Sequence, residues 1–412
     1  MRKWPALLLL AGMAWPAMAA KSVSVEQLDQ ILAANQGKAD AHVAQQLADL
    51  ELIERVETER LAKWEKGFPG DKTREALLRL ADMAAFLHPA PEDELVRIAP
   101  PDNDTQERML ALASDYVKTA IAQLPSLSAT RETTHFEDAP SPEQEMTANP
   151  PATGWRMRPL GISLGRSETK PLRMTGSTSV EVAYRGGREV AGDTGARDGK
   201  QNEQPAGLTA SGEFGPILSV VVADATANQV TWGYWEQRST GDPMAVMRYS
   251  VPEDHSNYAV EIQNGAKVDK IYPAYHGEIA IDPATGSILR ISMVADLMGP
   301  YQSLQTAILV EYASLAIGDH TCICPAHSVT YSKLPVAGST GDAQNGAVMV
   351  QTQLNDVVFT HYHLTGSETQ TVAGTKAQSG GNGAGAGASP ETTAGPATNR
   401  TAPDATPAAA QH

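Results

Sequence analysis

The apolar residues of this chain change period once, at Pro125. Before it they recur every three or four residues, the spacing that lines one face of a helix. After it they alternate, the spacing of a half-buried strand. A chain of 412 residues that switches period once separates its helices from its strands, unlike a parallel fold in which the two interleave. The expected fold is α+β, with a helical region over 21–124 followed by a large antiparallel β domain over 125–368.

Within the helical region, Ser24 followed by Gln27 forms a capping box, and Leu28, Ile31 and Leu32 follow at helical spacing. Val43, Leu47, Leu50, Ile53, Leu61 and Trp64 read as one further stripe, stopped by Gly67-Phe68-Pro69-Gly70. Asp71 is the expected cap of a third helix, with Ala76, Leu77, Leu80, Ala84 and Leu87 on its apolar face and Pro89 beyond its end. Asp104 with Glu107 opens a fourth, carrying Met109, Leu110, Ala113, Val117 and Leu124. These helices either pack on one another or wrap the domain that follows.

In the β domain, Ala129 to Phe136 reads as a strand, as do the alternating sets Val180/Val182/Tyr184, Val230/Trp232/Tyr234, Met247/Tyr249/Val251 and Tyr258/Val260/Ile262. Asp282-Pro283-Ala284-Thr285-Gly286 is a hairpin turn, since Pro presets φ and Gly accepts positive φ. Long strands fit 306–313 and 347–364. The stretch 213–225 suits a buried helix, through Pro216, Ile217, Leu218 and Val221, or a strand, through Val220-Val221-Val222.

The two ends have their own signatures. Arg2 and Lys3, an apolar run from Leu7 to Trp15, and Ala17-Met18-Ala19 make residues 1–20 a secretory signal peptide. No cysteine follows the apolar run, so no lipid anchor is expected and the product should be periplasmic or secreted. Residues 369–412 are almost all Gly, Ala, Ser, Thr and Pro, a composition expected to remain disordered. The net charge of −16 disfavours nucleic acid as a partner. No later apolar run approaches the ~20 residues of a membrane-spanning helix.

Candidate sites are few. Trp232, Tyr234, Trp235, Tyr249 and Tyr258 gather within a short stretch of neighbouring strands, as core or as the wall of a binding site for an apolar ligand. His361 and His363 flank Tyr362, and an i, i+2 pair on a strand shares a face. They are a candidate metal pair, with His276 or Asp282 as a third ligand. Cys322 and Cys324 are either two buried thiols or a strained redox pair, and with His320 and His327 they make a second loose cluster. The chain has no nucleophile elbow, zinc-protease helix or nucleotide-binding glycine loop, so no cofactor is expected.

Several segments together carry a family resemblance: ATRETTHFED (129–138), GEFGPIL (212–218), WGYWEQ (232–237), YHGEIAIDPATGSILRI (275–291) and ILVEYASLAIGDHTCICPAHSVTYS (308–332). The chain resembles a group of uncharacterised exported bacterial proteins. Their β domain is similar to the periplasmic lipoprotein-carrier fold, shared with an anti-sigma-factor regulator. The resemblance implies a curved, half-barrel-like sheet with helices on its concave side and room for an acyl chain. The expectation is a non-catalytic envelope protein that binds a lipid, a lipoprotein or an envelope partner. The alternatives are an exported metal- or thiol-dependent enzyme using the late His and Cys residues, or a structural interaction module.

Overall fold

The computed structural model describes residues 21–90, 96–138, 172–186, 188–190, 215–238, 241–264, 267–298, 301, 304–318, 320–335 and 350–365. Among them the chain forms six α-helices and a ten-stranded antiparallel sheet, an α+β architecture. Segment 1–20, expected to be a signal peptide, and the low-complexity segment 369–412 lie outside the described residues.

The N-terminal elements are β1 (Lys21–Val23), α1 (Val25–Ala34), α2 (Asp40–Ala48), β2 (Leu50–Leu52), α3 (Thr58–Gly67) and α4 (Asp71–Met83). The capping box closes as its residues require. Gln27 N donates to Ser24 Oγ at 3.2 Å, and Ser24 N donates to Gln27 Oε1 at 3.0 Å. The stripe from Val43 to Trp64 is not one helix. Leu50-Glu51-Leu52 alternates, and β1 supplies a parallel partner in register Lys21↔Leu50. The chain therefore breaks after Ala48, and Ile53 turns outward, 57% exposed. Asp71 does not cap α4 either. Gly70 is the N-cap, and the Asp40 carboxylate at the start of α2 accepts from Lys72 N at 3.2 Å and Thr73 N at 2.9 Å.

α4 buries two faces. Ala76, Leu77, Leu80 and Ala84 join Leu28, Leu32, Val43, Leu47 and Trp64 in the core of the N-terminal elements. Leu78, on another side of the helix, and Ala85 and Phe86, in the turn that follows it, pack against the sheet residues Phe136, Val329 and Leu354. Leu87, expected on the apolar face, is 37% exposed because the helix has ended before it.

α5 (Asn103–Gln123) begins two residues earlier than Asp104 as a cap would place it. Asp102 Oδ1 accepts from Thr105 N at 2.8 Å and is the capping side chain. Its Met109, Ala113 and Val117 do not join the N-terminal core but pack against the sheet. They meet α6 (Gly215–Ala227), the stretch that fitted helix or strand equally well. Ile217, Leu218, Val221, Val222 and Ala225 are all buried, so α6 is wedged between α5 and the sheet.

The strands are β3 (Leu127–Glu137), β4 (Arg173–Arg185), β5 (Arg188–Val190), β6 (Gln229–Glu236), β7 (Met244–Val251), β8 (Val260–Asn264), β9 (Lys267–Ile271), β10 (Ala274–Ile281), β11 (Ile288–Asp296), β12 (Gln305–Ile317), β13 (His320–Pro335) and β14 (Val350–Leu364). Strands β8 and β9 form a separate hairpin. The rest run β5-β4-β3-β14-β13-β12-β11-β10-β7-β6, with β5 and β6 as edges, so the sheet is not closed. The hairpin at Asp282 forms as expected. Asp282 Oδ1 accepts from Ala284 N and Thr285 N at 2.9 and 3.1 Å. Gly286 takes φ +74°, and a Cβ there would strike the Leu112 backbone, so the turn packs directly on α5.

Side chains alternate between the two faces of the sheet. Met247, Tyr249, Ile279, Ile281, Ile291, Met293, Ile308 and Val310 face α5 and α6. The residues between them, including Glu236, Glu278, Arg290, Glu311 and His327, face the other way.

Candidate functional site

The face toward α5 and α6 holds most of the aromatic set. A strand would send Trp232 and Trp235, three residues apart, to opposite faces. The register of β6 against β7 shifts between Trp232 and Tyr234, and the extra residue is Gly233. A Cβ on Gly233 would lie 2.7 Å from the Val246 carbonyl oxygen, so the bulge needs glycine. It returns both indoles to the same face, where they meet edge-on with centroids 5.0 Å apart. Both are half-buried on an edge strand. Trp235 is further tied to the segment before α5: its Nε1 donates to Ala99 O at 3.1 Å, and its carbonyl accepts from Val96 N at 3.2 Å.

Tyr249 and Tyr258 belong to the same face, each with its ring centroid 5.9 Å from that of Tyr275. Tyr249 is core, 3% exposed, with its hydroxyl donating to Ser292 O at 2.7 Å. Tyr275 donates to Asp224 of α6 at 2.8 Å, which fixes the helix on the strands. Tyr234 departs from the set. The bulge puts it on the opposite face, where it packs with Met244, Val246 and Ala280 and donates to Glu278 Oε2 at 2.8 Å.

Beside this aromatic edge, a cleft of about 550 Å³ opens between α5, the end of α6 and β6. Leu110 and Val230 give it an apolar floor continuous with the core, and Glu107, Asp115 and Lys118 of α5 give it a charged rim. Val230 precedes Trp232 by two residues on β6 and shares its face, so the cleft lies beside the indole pair, which does not itself line it.

The opposite face carries a buried polar seam that sequence reasoning missed. Arg290 makes a bidentate pair with Glu236, both distances 2.6 Å, and Arg55 from the turn after β2 reaches Glu236 at 2.9 Å. All three are under 10% exposed. Burial opposes ionisation of Glu236, yet Arg290 and Arg55 outweigh it and hold the carboxyl below its ordinary range. Arg290 is the Cα partner of Glu311, and Glu311 of His327. His327 Nδ1 lies 3.2 Å from Glu311 Oε2, and its Nε2 lies 2.6 Å from Asp356 Oδ2. Asp82 of α4 completes the group: ligand atoms of Asp82, His327 and Asp356 lie within 4.8 Å of one another. The signal in the sequence was Asp82 itself, a charge at a helical-period position between Leu78 and Phe86.

The metal pair expected at His361 and His363 gains no third ligand among the described residues. The register of β14 against β3 shifts between Thr360 and His363, and His361 takes φ +52°. The bulge ends the i, i+2 relation that would put both imidazoles on one face. His363 Nε2 instead lies 2.6 Å from Ser128 Oγ, and His361 Nδ1 lies 2.9 Å from Thr360 Oγ1. Asp282 and His276 offer no third ligand, since β10 is four strands from β14, about 19 Å at the usual strand spacing. Among the described residues, the metal-ligating side chains that converge in a group of three are Asp82, His327 and Asp356.

The second loose cluster also divides. Cys322 and Cys324 are free thiols buried in an apolar group with Leu127, Tyr184, Ile317 and Phe359, while His327 lies in the seam. Burial raises both thiols, and Cys324 is pushed up to about 12, away from the thiolate that nucleophilic or redox chemistry needs.

The chain matches no family model, no curated protein and no solved structure. Among the described residues, no helix is long and apolar enough to cross a membrane.

Proposed function

We propose that this protein is an exported, non-catalytic binding protein of the cell envelope that takes an apolar or amphipathic ligand, a lipid or a lipid-modified protein. In this reading the sheet curves as a half-barrel around α5 and α6, and the mature chain works in the periplasm or outside the cell. The observation that carries the reading is the cleft at the aromatic edge. Its volume of about 550 Å³ falls within the range of small-molecule sites. Its apolar floor at Leu110 and Val230 suits a hydrocarbon body, and the charged rim suits a polar head.

The test is native mass spectrometry with lipid extraction on the protein purified from its own envelope. The expected result is a co-purifying lipid or acylated peptide that is lost in Val230→Asp. A protein that carries none, and whose Trp fluorescence is unmoved by added phospholipid or acyl peptide, overturns the ligand. That outcome would favour a protein-interaction module.

A further inference from the structure

Asp82 is the least explained residue of the polar seam. It is 3% exposed, and its Oδ2 atom is buried with no hydrogen-bond partner. A buried carboxyl oxygen without a hydrogen-bond partner is costly to a fold. The residue lies in the last turn of α4, between Leu78 and the following Ala85 and Phe86, which seat this end of the helix on Val329 and Leu354. An apolar side chain would pack there at no such cost. His327 and Asp356 sit in the same rows as Val329 and Leu354, on the same face of β13 and β14.

The geometry points to a divalent transition-metal site, of the zinc type, formed by Asp82, His327 and Asp356 where α4 meets the sheet. The donor set of one imidazole and two carboxylates suits Zn²⁺, with bonds of about 2.0–2.2 Å. Ligand atoms of a tetrahedral site with such bonds lie about 3.4 Å apart, so atoms within 4.8 Å of one another close by at most about 1.4 Å, and the His327–Asp356 pair, now at 2.6 Å, opens. The ring is already oriented for it. Nδ1 faces Glu311 at 3.2 Å and Nε2 faces Asp356 at 2.6 Å, so on metal binding Nε2 would give up the hydrogen it now donates to Asp356 while Nδ1–H stays on Glu311. A carboxylate behind the imidazole is the usual support of a metal-bound histidine. The ion would replace the His327–Asp356 hydrogen bond and give the stranded Asp82 oxygen a partner. It would also pin an element of the N-terminal core to the sheet. The site is separate from the aromatic cleft, on the other face of the sheet, so it stands or falls independently of the ligand proposed above.

The test uses the full chain, stripped with a chelator and titrated with Zn²⁺ against a chromophoric competitor. Expected are one ion per chain and a melting temperature that rises with added Zn²⁺. Asp82→Asn keeps the size and removes the charge, and should weaken binding at least about a hundredfold. Glu311→Gln, a positioning change, should weaken it by roughly ten- to a hundredfold. Replacing both His361 and His363 with Ala should leave the titration unchanged. The proposal is overturned if the wild-type chain takes up no stoichiometric Zn²⁺. It is equally overturned if Asp82→Asn binds as tightly as the wild type while the His361/His363 variant does not.

Discussion

The two faces of the ten-stranded sheet are covered by helices on opposite principles. Toward α5 and α6, contact is almost wholly apolar, from Met109 and Val117 through Val221 and Ala225 to Ile279 and Ile291. Toward α4 and the turn after β2, apolar patches at Phe136 and Val329 alternate with Arg55, Glu236, Arg290, Glu311, His327, Asp356 and Asp82. An apolar contact is non-directional and yields gradually when altered. A buried ionic contact depends on every partner being present, because a single removal leaves an uncompensated charge. The first kind of face gives stability. The second kind fixes one arrangement, and a bound ion or a lost proton can act on it.

Removing one charge from the seam tests this contrast most severely. Glu236→Ala leaves Arg55 and Arg290 buried without their shared carboxylate and should cost about 3–5 kcal/mol in urea unfolding. If the difference between the faces lies in pairing and not in packing, the triple change R55L/E236L/R290M should recover most of that loss. A triple variant as unstable as the single one would mean that the seam contributes net stability of its own. On the other face, Ile279→Ala should cost about 2–5 kcal/mol, with no such recovery available, because the loss is one of contact and cavity.

Acid should separate the faces as well. The carboxyl of Glu236 is held below its ordinary 4.5 in the folded chain, so the unfolded chain takes up this proton first. Its contribution is complete above 4.5 and declines as pH falls through the folded value. The unfolding midpoint should drop more steeply below that point in the wild type than in the triple variant. The smallest expected change is local. Ser24→Ala removes the cap of α1 and should cost about 1 kcal/mol without altering ligand or metal binding, as thermal unfolding would register.

Short-range features were readable in the chain. Ser24 with Gln27, and Asp282 with Gly286, act through neighbours a few residues away, so their hydrogen bonds and backbone angles follow from sequence spacing. The helix at 71–83 was legible, but only one of its faces was. A helix that buries two sides shows no clean amphipathic stripe, and the apolar spacing of this helix does not reveal that Asp82 is buried. The single stripe from Val43 to Trp64 failed for a related reason. The partner that turns Leu50–Leu52 into a strand is β1, whose pairing is not local.

The candidate sites divide in the same way. Grouping Trp232 with Trp235 came from composition, but a bulge at Gly233 puts them on one face and expels Tyr234 to the other. The bulge at His361 interrupts the regular alternation by which spacing had placed two histidines on one face. A one-residue slip in register inverts which side chains share a face. Period, caps and turn chemistry are properties of short stretches, so the α+β division, the hairpin and the crowding of aromatics were present in the order of residues alone. Which faces meet, where a strand slips, and that Asp82 comes to lie against His327 and Asp356 depend on contacts between segments far apart in the chain. Those contacts are chosen by burial and pairing across the whole fold.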